Sequence, residues 1–123
     1  MARVVALVPD LLFGSKVKAM LEAGGHEIDL VSEEDVARGR APLADVFVVD
    51  MTTDDIDGAT LVESMRMGRE LGETRTLAFY SHVDEAARDR ARDAGFDLAV
   101  PRSRMAREGE ALVARLASRA PGA

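Results

Sequence analysis

Short apolar runs recur along the chain, separated by longer stretches in which apolar residues return every three or four positions. Continuous apolar runs occupy 3–9, 44–51, 75–81 and 96–101, whereas residues alternate between apolar and polar over 26–32. Continuous runs rich in Val, Leu and Phe are typical of parallel strands covered on both faces, and alternation is typical of an edge strand. The pattern therefore predicts five strands, of which the second lies at a sheet edge.

Each predicted strand is followed by a stretch with helical spacing. These stretches cover 11–23, 32–40, 58–71, 84–94 and 104–119. Glycines follow the first, third and fourth of them, where they favour helix termination. Ser32 is the predicted N-cap of the second helix, and Asp84 lies near the N-cap of the fourth.

Five alternating strand–helix units predict an α/β fold of the (βα)5 type. Right-handed crossovers place helices on both faces of a five-stranded parallel sheet, which makes a three-layer sandwich. For a chain of 123 residues the flavodoxin-like strand order 2-1-3-4-5 is favoured. We predict one domain over 1–123, with its core in 3–118 and a frayed tail at 119–123.

Composition and charge exclude several classes of function. The chain has no cysteine, which rules out disulfides, thiol chemistry and cysteine–zinc sites and fits a cytoplasmic protein. No apolar run is long enough to span a membrane, and no signal peptide is visible, so we expect no membrane association. The net charge is −6, and acidic residues are interspersed through the arginine-rich stretch 88–107. We interpret that stretch as a solvated face and expect no binding to nucleic acid.

Candidate chemistry lies at the carboxyl ends of the predicted strands. In open parallel sheets, sites form outside these ends, near the switch point between the first and third strands. The residues there are Asp10, Asp50, Thr52, Tyr80, Ser81 and Arg102. Two neighbouring carboxylates repel each other, and a Mg²⁺ ion relieves that conflict because it prefers oxygen ligands. The alternative is that both aspartates only cap strand ends or the helices that follow.

The spacing around Asp50 resembles that of the receiver domains of two-component response regulators, the CheY-like family. Asp50 ends the third strand and lies seven residues before Asp57-Gly58, which is the family spacing. The segment "AGFDLAVPR" (94–102) is similar to the family's approach to the fifth strand. The resemblance covers residues 3–118 and implies the receiver fold.

The resemblance implies a signal-transduction role in a two-component system or phosphorelay. Asp50 would be the phosphoacceptor, and Asp10, Asp50 and the Thr52 carbonyl would hold Mg²⁺. Tyr80, Ser81 and Arg102 would be the candidates for contact with the phosphate. The implied partners are a sensor histidine kinase or another signalling protein, and a protein output partner that docks on the face formed by 84–118. No enzymatic activity is implied beyond phosphoacceptance and self-dephosphorylation at Asp50.

Several positions depart from the family pattern. The pair of acids after the first strand is Pro9-Asp10, the Thr or Ser position holds Tyr80, the Lys position holds Arg102, and the aromatic position of the fifth strand holds Ala99. These departures suit an atypical receiver. The alternatives are a phosphorylation-independent pseudo-receiver that acts as a protein-binding or scaffold module, and a small enzyme or ligand binder on the same fold.

The two histidines carry no catalytic prediction. Ser81, His82 and Asp84 are nearly consecutive, whereas a Ser–His–Asp triad is assembled from separate elements, so this segment is interpreted as a loop entering a helix. His26 opens the second strand and is expected at the surface.

Overall fold

The computed structural model describes residues 1–118; the predicted frayed tail at 119–123 lies outside the described residues. The strands are β1 (Arg3–Leu7), β2 (Glu27–Val31), β3 (Val46–Asp50), β4 (Arg75–Tyr80) and β5 (Leu98–Pro101). The helices are α1 (Leu11–Ala23), α2 (Glu34–Arg40), α3 (Gly58–Met67), α4 (Glu85–Ala94) and α5 (Arg102–Ala117). A short 3₁₀ turn, Ala41–Leu43, follows α2.

The five strands form one parallel sheet in the order β2-β1-β3-β4-β5. The predicted fold class, strand order and edge position of β2 are therefore confirmed. β1 and β3 are neighbours, with Leu7 opposite Val49, so the chain segments that leave them emerge side by side. This switch point is where Asp10 and Asp50 lie.

Alternation along the central strands divides the core into two layers. Val46 and Val48 of β3 face a cluster that includes residues of α1 and α5. Phe47 and Val49 face the opposite cluster, which includes residues of α2 and α3. All four side chains are fully buried, which explains why β3 has a continuous apolar sequence.

The ends of three helices differ from the sequence prediction. The N-cap of α2 is Glu33, with no side-chain cap hydrogen bond, so the prediction of Ser32 as N-cap was wrong because the chain stays extended beyond it. α3 ends at Met67, and Leu71, which the pattern placed on that helix, is buried in the second core layer from the following turn. α5 begins at Arg102, directly after β5. Asp84 is the N-cap of α4, as predicted.

His26 is buried, and the expectation that it lies at the surface was wrong. Its Nδ1 accepts a hydrogen bond from the backbone N–H of Ala2 at 3.0 Å. Its Nε2 lies 3.1 Å from a carboxylate oxygen of Glu110 on α5. The imidazole therefore joins the start of the chain, the turn before β2 and α5, a set of contacts between segments that are distant in sequence.

No helix within residues 1–118 combines the length and the apolar character needed to cross a membrane.

Candidate functional site

Asp50 is the last residue of β3 and its side chain is buried. The residue is only 1% exposed. Its Oδ1 accepts two hydrogen bonds from Thr52, one from the backbone N–H at 2.7 Å and one from the hydroxyl at 2.6 Å. The side chain therefore folds the β3–α3 loop back onto the strand end. Oδ2 remains as the oxygen through which this carboxylate could meet a cation or an electrophile.

Asp10 follows β1 and is the N-cap of α1. Its Oδ1 accepts hydrogen bonds from the backbone N–H groups of Leu12 at 2.9 Å and Phe13 at 3.2 Å. These bonds satisfy two of the free N–H groups that every helix start presents. The capping interpretation of Asp10 is thus correct for one oxygen, while Oδ2 points toward a cation from a different element.

That cation is Arg102, the first residue of α5. Its Nη2 lies 3.6 Å from Asp10 Oδ2. Its guanidinium carbon also lies 4.1 Å from the centroid of the Phe13 ring, which is the geometry of a cation–π contact. Phe13 in turn packs against Phe79 of β4, with ring centroids 5.1 Å apart. The arginine therefore rests on an aromatic platform anchored in the core.

A groove of about 590 Å³ opens beside these residues. It is lined by Phe13, Lys16, Thr52, Ser81, His82, Arg102, Ser103 and Ala106. The lining brings together two cationic side chains and three hydroxyl groups. Such a surface can bind a phosphoryl group, because cations and hydroxyl donors both stabilise its oxygens.

The structure separates two of the predicted phosphate contacts. Ser81, just after β4, lines the groove, whereas Tyr80 does not. Tyr80 is the final residue of β4, is 7% exposed, and lies opposite Pro101 in the sheet register. Because successive side chains of a strand point to opposite faces, Tyr80 lies on the other face of the sheet from Phe79. Of Tyr80 and Ser81, Ser81 is therefore the residue that lines the groove together with Arg102.

The protein oxygens at this edge are few, but their number is sufficient for a divalent cation that also binds water. Asp10 and Asp50 each keep one carboxylate oxygen free of backbone N–H bonds, and the Thr52 carbonyl is the third predicted ligand. Within residues 1–118, no group of three or more His, Cys, Asp or Glu side chains converges on a common point. Mg²⁺ usually takes one or two carboxylates and completes its octahedron with water, so these oxygens suit it.

Asp57 and Gly58 position the loop that leaves Asp50. Asp57 is the N-cap of α3: its carboxylate accepts from the backbone N–H of Thr60 at 3.1 Å and from the Thr60 hydroxyl at 2.8 Å. Arg90 of α4 donates to the same carboxylate at 2.8 Å. The Thr60 backbone N–H, more than the Thr60 hydroxyl and the Arg90 charge, holds the pKa of Asp57 below its usual value.

Gly58 allows α3 to start directly against β3. A Cβ atom at this position would lie 2.3 Å from Cγ1 of Val49. The Asp-Gly pair therefore has a structural role at this position in the sequence. Asp57 caps α3, and Gly58 permits α3 to pack closely on β3.

Sequence reasoning missed three residues of the site. Neither Phe13 nor Lys16 is among the residues predicted for the site, and Arg90 lies in the stretch 88–107 that was interpreted as a solvated face. Phe13 does pack in the core, but the face of its ring also contacts the Arg102 guanidinium. No sequence pattern marks this second contact. Lys16 lies three residues, about one turn, after Phe13 on α1, so these two residues share the helix side that lines the groove.

Comparison with known proteins gives a clear result for the fold only. No protein-family model matches the sequence, and no curated relative is found. Solved structures match closely. The receiver domain of the Francisella response regulator 1452 has a TM-score of 0.83 at 17% identity, over 97% of this chain and 98% of that one.

Two further matches are receiver domains of histidine kinases. The receiver domain of sensor kinase PA1611 from Pseudomonas aeruginosa, with a magnesium ion coordinated in its active-site cleft, has a TM-score of 0.82 at 16% identity, over 95% of this chain and 98% of that one. The signal receiver domain of a histidine kinase from Syntrophus aciditrophicus has a TM-score of 0.85 at 17% identity, over 100% of this chain and 95% of that one.

The strand order, the carboxylates at the switch point and the similarity over nearly the whole length of these structures lead to the same conclusion: the chain has the fold of the CheY-like receiver domains of two-component signalling proteins.

Proposed function

We propose that this chain is a receiver-like signalling domain of a two-component system or phosphorelay, and that Asp50 accepts the phosphoryl group. The observation that carries the proposal is the position of Asp50. It is a carboxylate at the end of a central strand of a receiver fold, next to Asp10 and a groove lined by cations and hydroxyls.

The proposed reaction is a phosphoryl transfer from a phosphohistidine of a partner kinase. Oδ2 of Asp50 forms the new P–O bond as the P–N bond breaks, and the histidine ring leaves with the electron pair of that bond. Arg102, Lys16 and the Ser81 hydroxyl stabilise the charge on the phosphoryl oxygens. Mg²⁺ bound by Asp10, Asp50 and the Thr52 carbonyl would neutralise further charge on the group in transfer.

Burial of Asp50 sets a condition on this reaction. Because the residue is only 1% exposed, a donor reaches it only after the β3–α3 loop, residues 51–57, moves. The two Thr52 hydrogen bonds to Oδ1 hold this loop in place. Phosphorylation and loop rearrangement are therefore coupled in this proposal, and the rearranged loop is the signal.

The output is carried by contact with another protein on the face formed by 84–118. Arg90 of α4 binds Asp57 at the end of the same loop, so a loop movement is transmitted directly to this face. The domain acts as a cytoplasmic signalling module. It has no enzymatic activity other than phosphoacceptance and self-dephosphorylation at Asp50, and no affinity for nucleic acid or membranes.

Intact-mass measurement after incubation with Mg²⁺ and acetyl phosphate tests the proposal. We expect an adduct of one phosphoryl group in the wild-type chain and in Asp54→Asn, a matched control in the exposed part of the same loop. We expect no adduct in Asp50→Asn. Absence of an adduct in the wild-type chain, or its persistence in Asp50→Asn, would contradict the assignment. Absence together with retained partner binding would instead support the phosphorylation-independent pseudo-receiver.

A second prediction separates the two hydroxyls at the end of β4. Ser81→Ala removes a hydroxyl that lines the groove, and we expect the phosphoryl adduct to form about tenfold more slowly, because one hydrogen bond to a charged group contributes at least about 1.5 kcal/mol. Tyr80→Phe removes a hydroxyl outside the groove lining, and we expect the rate to change less than twofold. Time courses of adduct formation provide the comparison. A slow Tyr80→Phe variant and a normal Ser81→Ala variant would reverse the assignment.

A further inference from the structure

His26 is a buried titratable side chain that the proposed function does not use. It lies in the turn between α1 and β2, and its side chain is only 5% exposed. Its backbone N–H donates to the carbonyl of Leu21 at 3.1 Å, so the residue is tied to the end of α1. The two ring nitrogens contact different parts of the chain, the backbone N–H of Ala2 at 3.0 Å and the carboxylate of Glu110 at 3.1 Å.

These two contacts determine where the neutral imidazole carries its proton. A backbone N–H can only donate, so Nδ1, which faces Ala2, must be the unprotonated nitrogen. The proton of the neutral ring is then on Nε2, which donates to the Glu110 carboxylate. The neutral ring with its proton on Nε2 therefore satisfies both contacts at once.

A second proton on the ring changes the two contacts in opposite directions. Nδ1–H and the Ala2 N–H would then be two donors facing each other across 3.0 Å. Because the side chain is almost closed to water, solvent cannot accept from Nδ1–H while Ala2 stays in place. The hydrogen bond from Nε2 to Glu110 becomes charge-assisted and stronger. Histidine is the side chain whose charge ordinarily changes between about pH 5 and pH 8.

Glu110 is the charged group in direct contact with the ring, and its side chain is 42% exposed. Arg3 and Glu27 pair with each other at 3.6 Å, and Arg107 pairs with Glu108 at 3.7 Å. Glu110 is therefore the partner toward which a charged ring is drawn. The charged groups on the elements around the ring are the amino group of Met1, Arg3, Glu22, Glu27, Arg107 and Glu110.

We propose that His26 is a pH-dependent switch: the neutral ring holds residues 1–2 in the core, and the protonated ring releases them and is held by Glu110 of α5 instead. Ala2 is 1% exposed and belongs to the core layer that contains residues of α1 and α5, so its release withdraws a methyl group from that layer. The backbone N–H of Glu27 donates to the Ala2 carbonyl at 2.9 Å, which limits the movement to the first two residues. The switch involves no residue of the candidate site and so goes beyond the proposed function.

An NMR titration of the wild-type chain from about pH 8 to about pH 5 tests the switch. Long-range nitrogen–proton spectra of the imidazole report its tautomer and its protonation, and the methyl signal of Ala2 reports the position of that residue. We expect the Nε2–H tautomer at the upper limit. On acidification, Nδ1 protonation and the shift of the Ala2 methyl signal should have the same midpoint. A soluble paramagnetic probe should broaden this methyl signal severalfold more at the lower limit, because the methyl group becomes exposed.

His26→Gln is the matched variant, because its amide offers one acceptor and one donor but cannot take up a proton. We expect the Ala2 signal of this variant to be independent of pH over the same range. His82→Gln removes the other histidine of the chain, an exposed residue of the β4–α4 loop, and should leave the transition unchanged. Glu110→Gln should move the transition to lower pH, because the protonated ring loses its ionic partner.

Several results would overturn the switch. They are a ring that stays neutral to the lower limit, a proton on Nδ1 at the upper limit, and protonation of His26 with no change at Ala2. Persistence of the Ala2 transition in His26→Gln would overturn it as well. If His26→Gln does not fold, the wild-type chain and Glu110→Gln decide, and equal midpoints in these two proteins would contradict the exchange of partners. None of these results affects the phosphorylation of Asp50.

Discussion

At the scale of single residues, the residues that identify the candidate site also stabilise the local structure. Asp10 caps α1, Asp50 fastens the loop through Thr52, and Asp57 caps α3. Position 58 requires glycine because the Cβ of any other residue would collide with the side chain of Val49. The Asp-Gly spacing could be read from the sequence, but the reason for the glycine could not, because it depends on how closely α3 packs on β3.

Gly58→Ala tests this packing. The added methyl group would lie 2.3 Å from Cγ1 of Val49, so α3 or the strand must shift. We expect a loss of about 1–3 kcal/mol in the free energy of unfolding, as for other overpacked sites. Gly39→Ala is the control: it lies in α2 with no atom within 4 Å of the added methyl, and should gain up to about 1 kcal/mol. Urea unfolding measures both, and equal effects would contradict the packing argument.

At the scale of elements, the helices are tied to the sheet by polar contacts that bridge distant parts of the chain. His26 joins the start of the chain to α5 through Ala2 and Glu110. The helical and strand patterns could be predicted because they depend on local periodicity. These bridges could not, because they pair residues 24 and 84 positions apart in sequence. A histidine next to a glycine pair carries no local sign of burial.

His26→Ala should show how much this bridge contributes. The variant leaves the buried backbone N–H of Ala2 without its acceptor, and we expect a loss of about 1–3 kcal/mol in the free energy of unfolding. His82→Ala, an exposed histidine in the β4–α4 loop, should stay within about 0.5 kcal/mol of the wild-type chain. Both values come from chemical denaturation. Indistinguishable variants would mean that the His26 bonds are not important for stability.

At the scale of the whole molecule, carboxylates with lowered pKa values link separate helices. The Thr60 backbone N–H and Arg90 lower the pKa of Asp57 at the α3–α4 contact. A hydrogen bond from Arg38 of α2 lowers the pKa of Glu70, which follows α3. Arg38 also donates to the Ser64 hydroxyl on α3, so this pair joins two helices on one face of the sheet. In both pairs the ionised carboxylate is the form that the folded state prefers.

These pairs predict a sensitivity to acid. A carboxyl with a lowered folded-state pKa stabilises the fold above its unfolded-state pKa, about 4, and that contribution is lost as the pH falls through the lowered value. We expect the wild-type chain to lose thermal stability below about pH 4. Asp57→Asn keeps a side chain that can cap α3 but cannot titrate, so its stability should fall less steeply over the same range. Thermal melts at a series of pH values provide the measurement. Parallel curves for the two proteins would refute a role for Asp57.

The sequence by itself determined the fold class, the strand order and the edge at which the candidate site lies. It did so because apolar periodicity, glycine stops and right-handed crossovers leave few arrangements of five strands and five helices. Only the tertiary structure decided which oxygens of Asp10 and Asp50 are free, that Ser81 and not Tyr80 lines the groove, and that Arg102 rests on Phe13 above Asp10. These are matters of side-chain direction and of contact between elements that are far apart in sequence, and such contacts leave no periodic pattern in the chain.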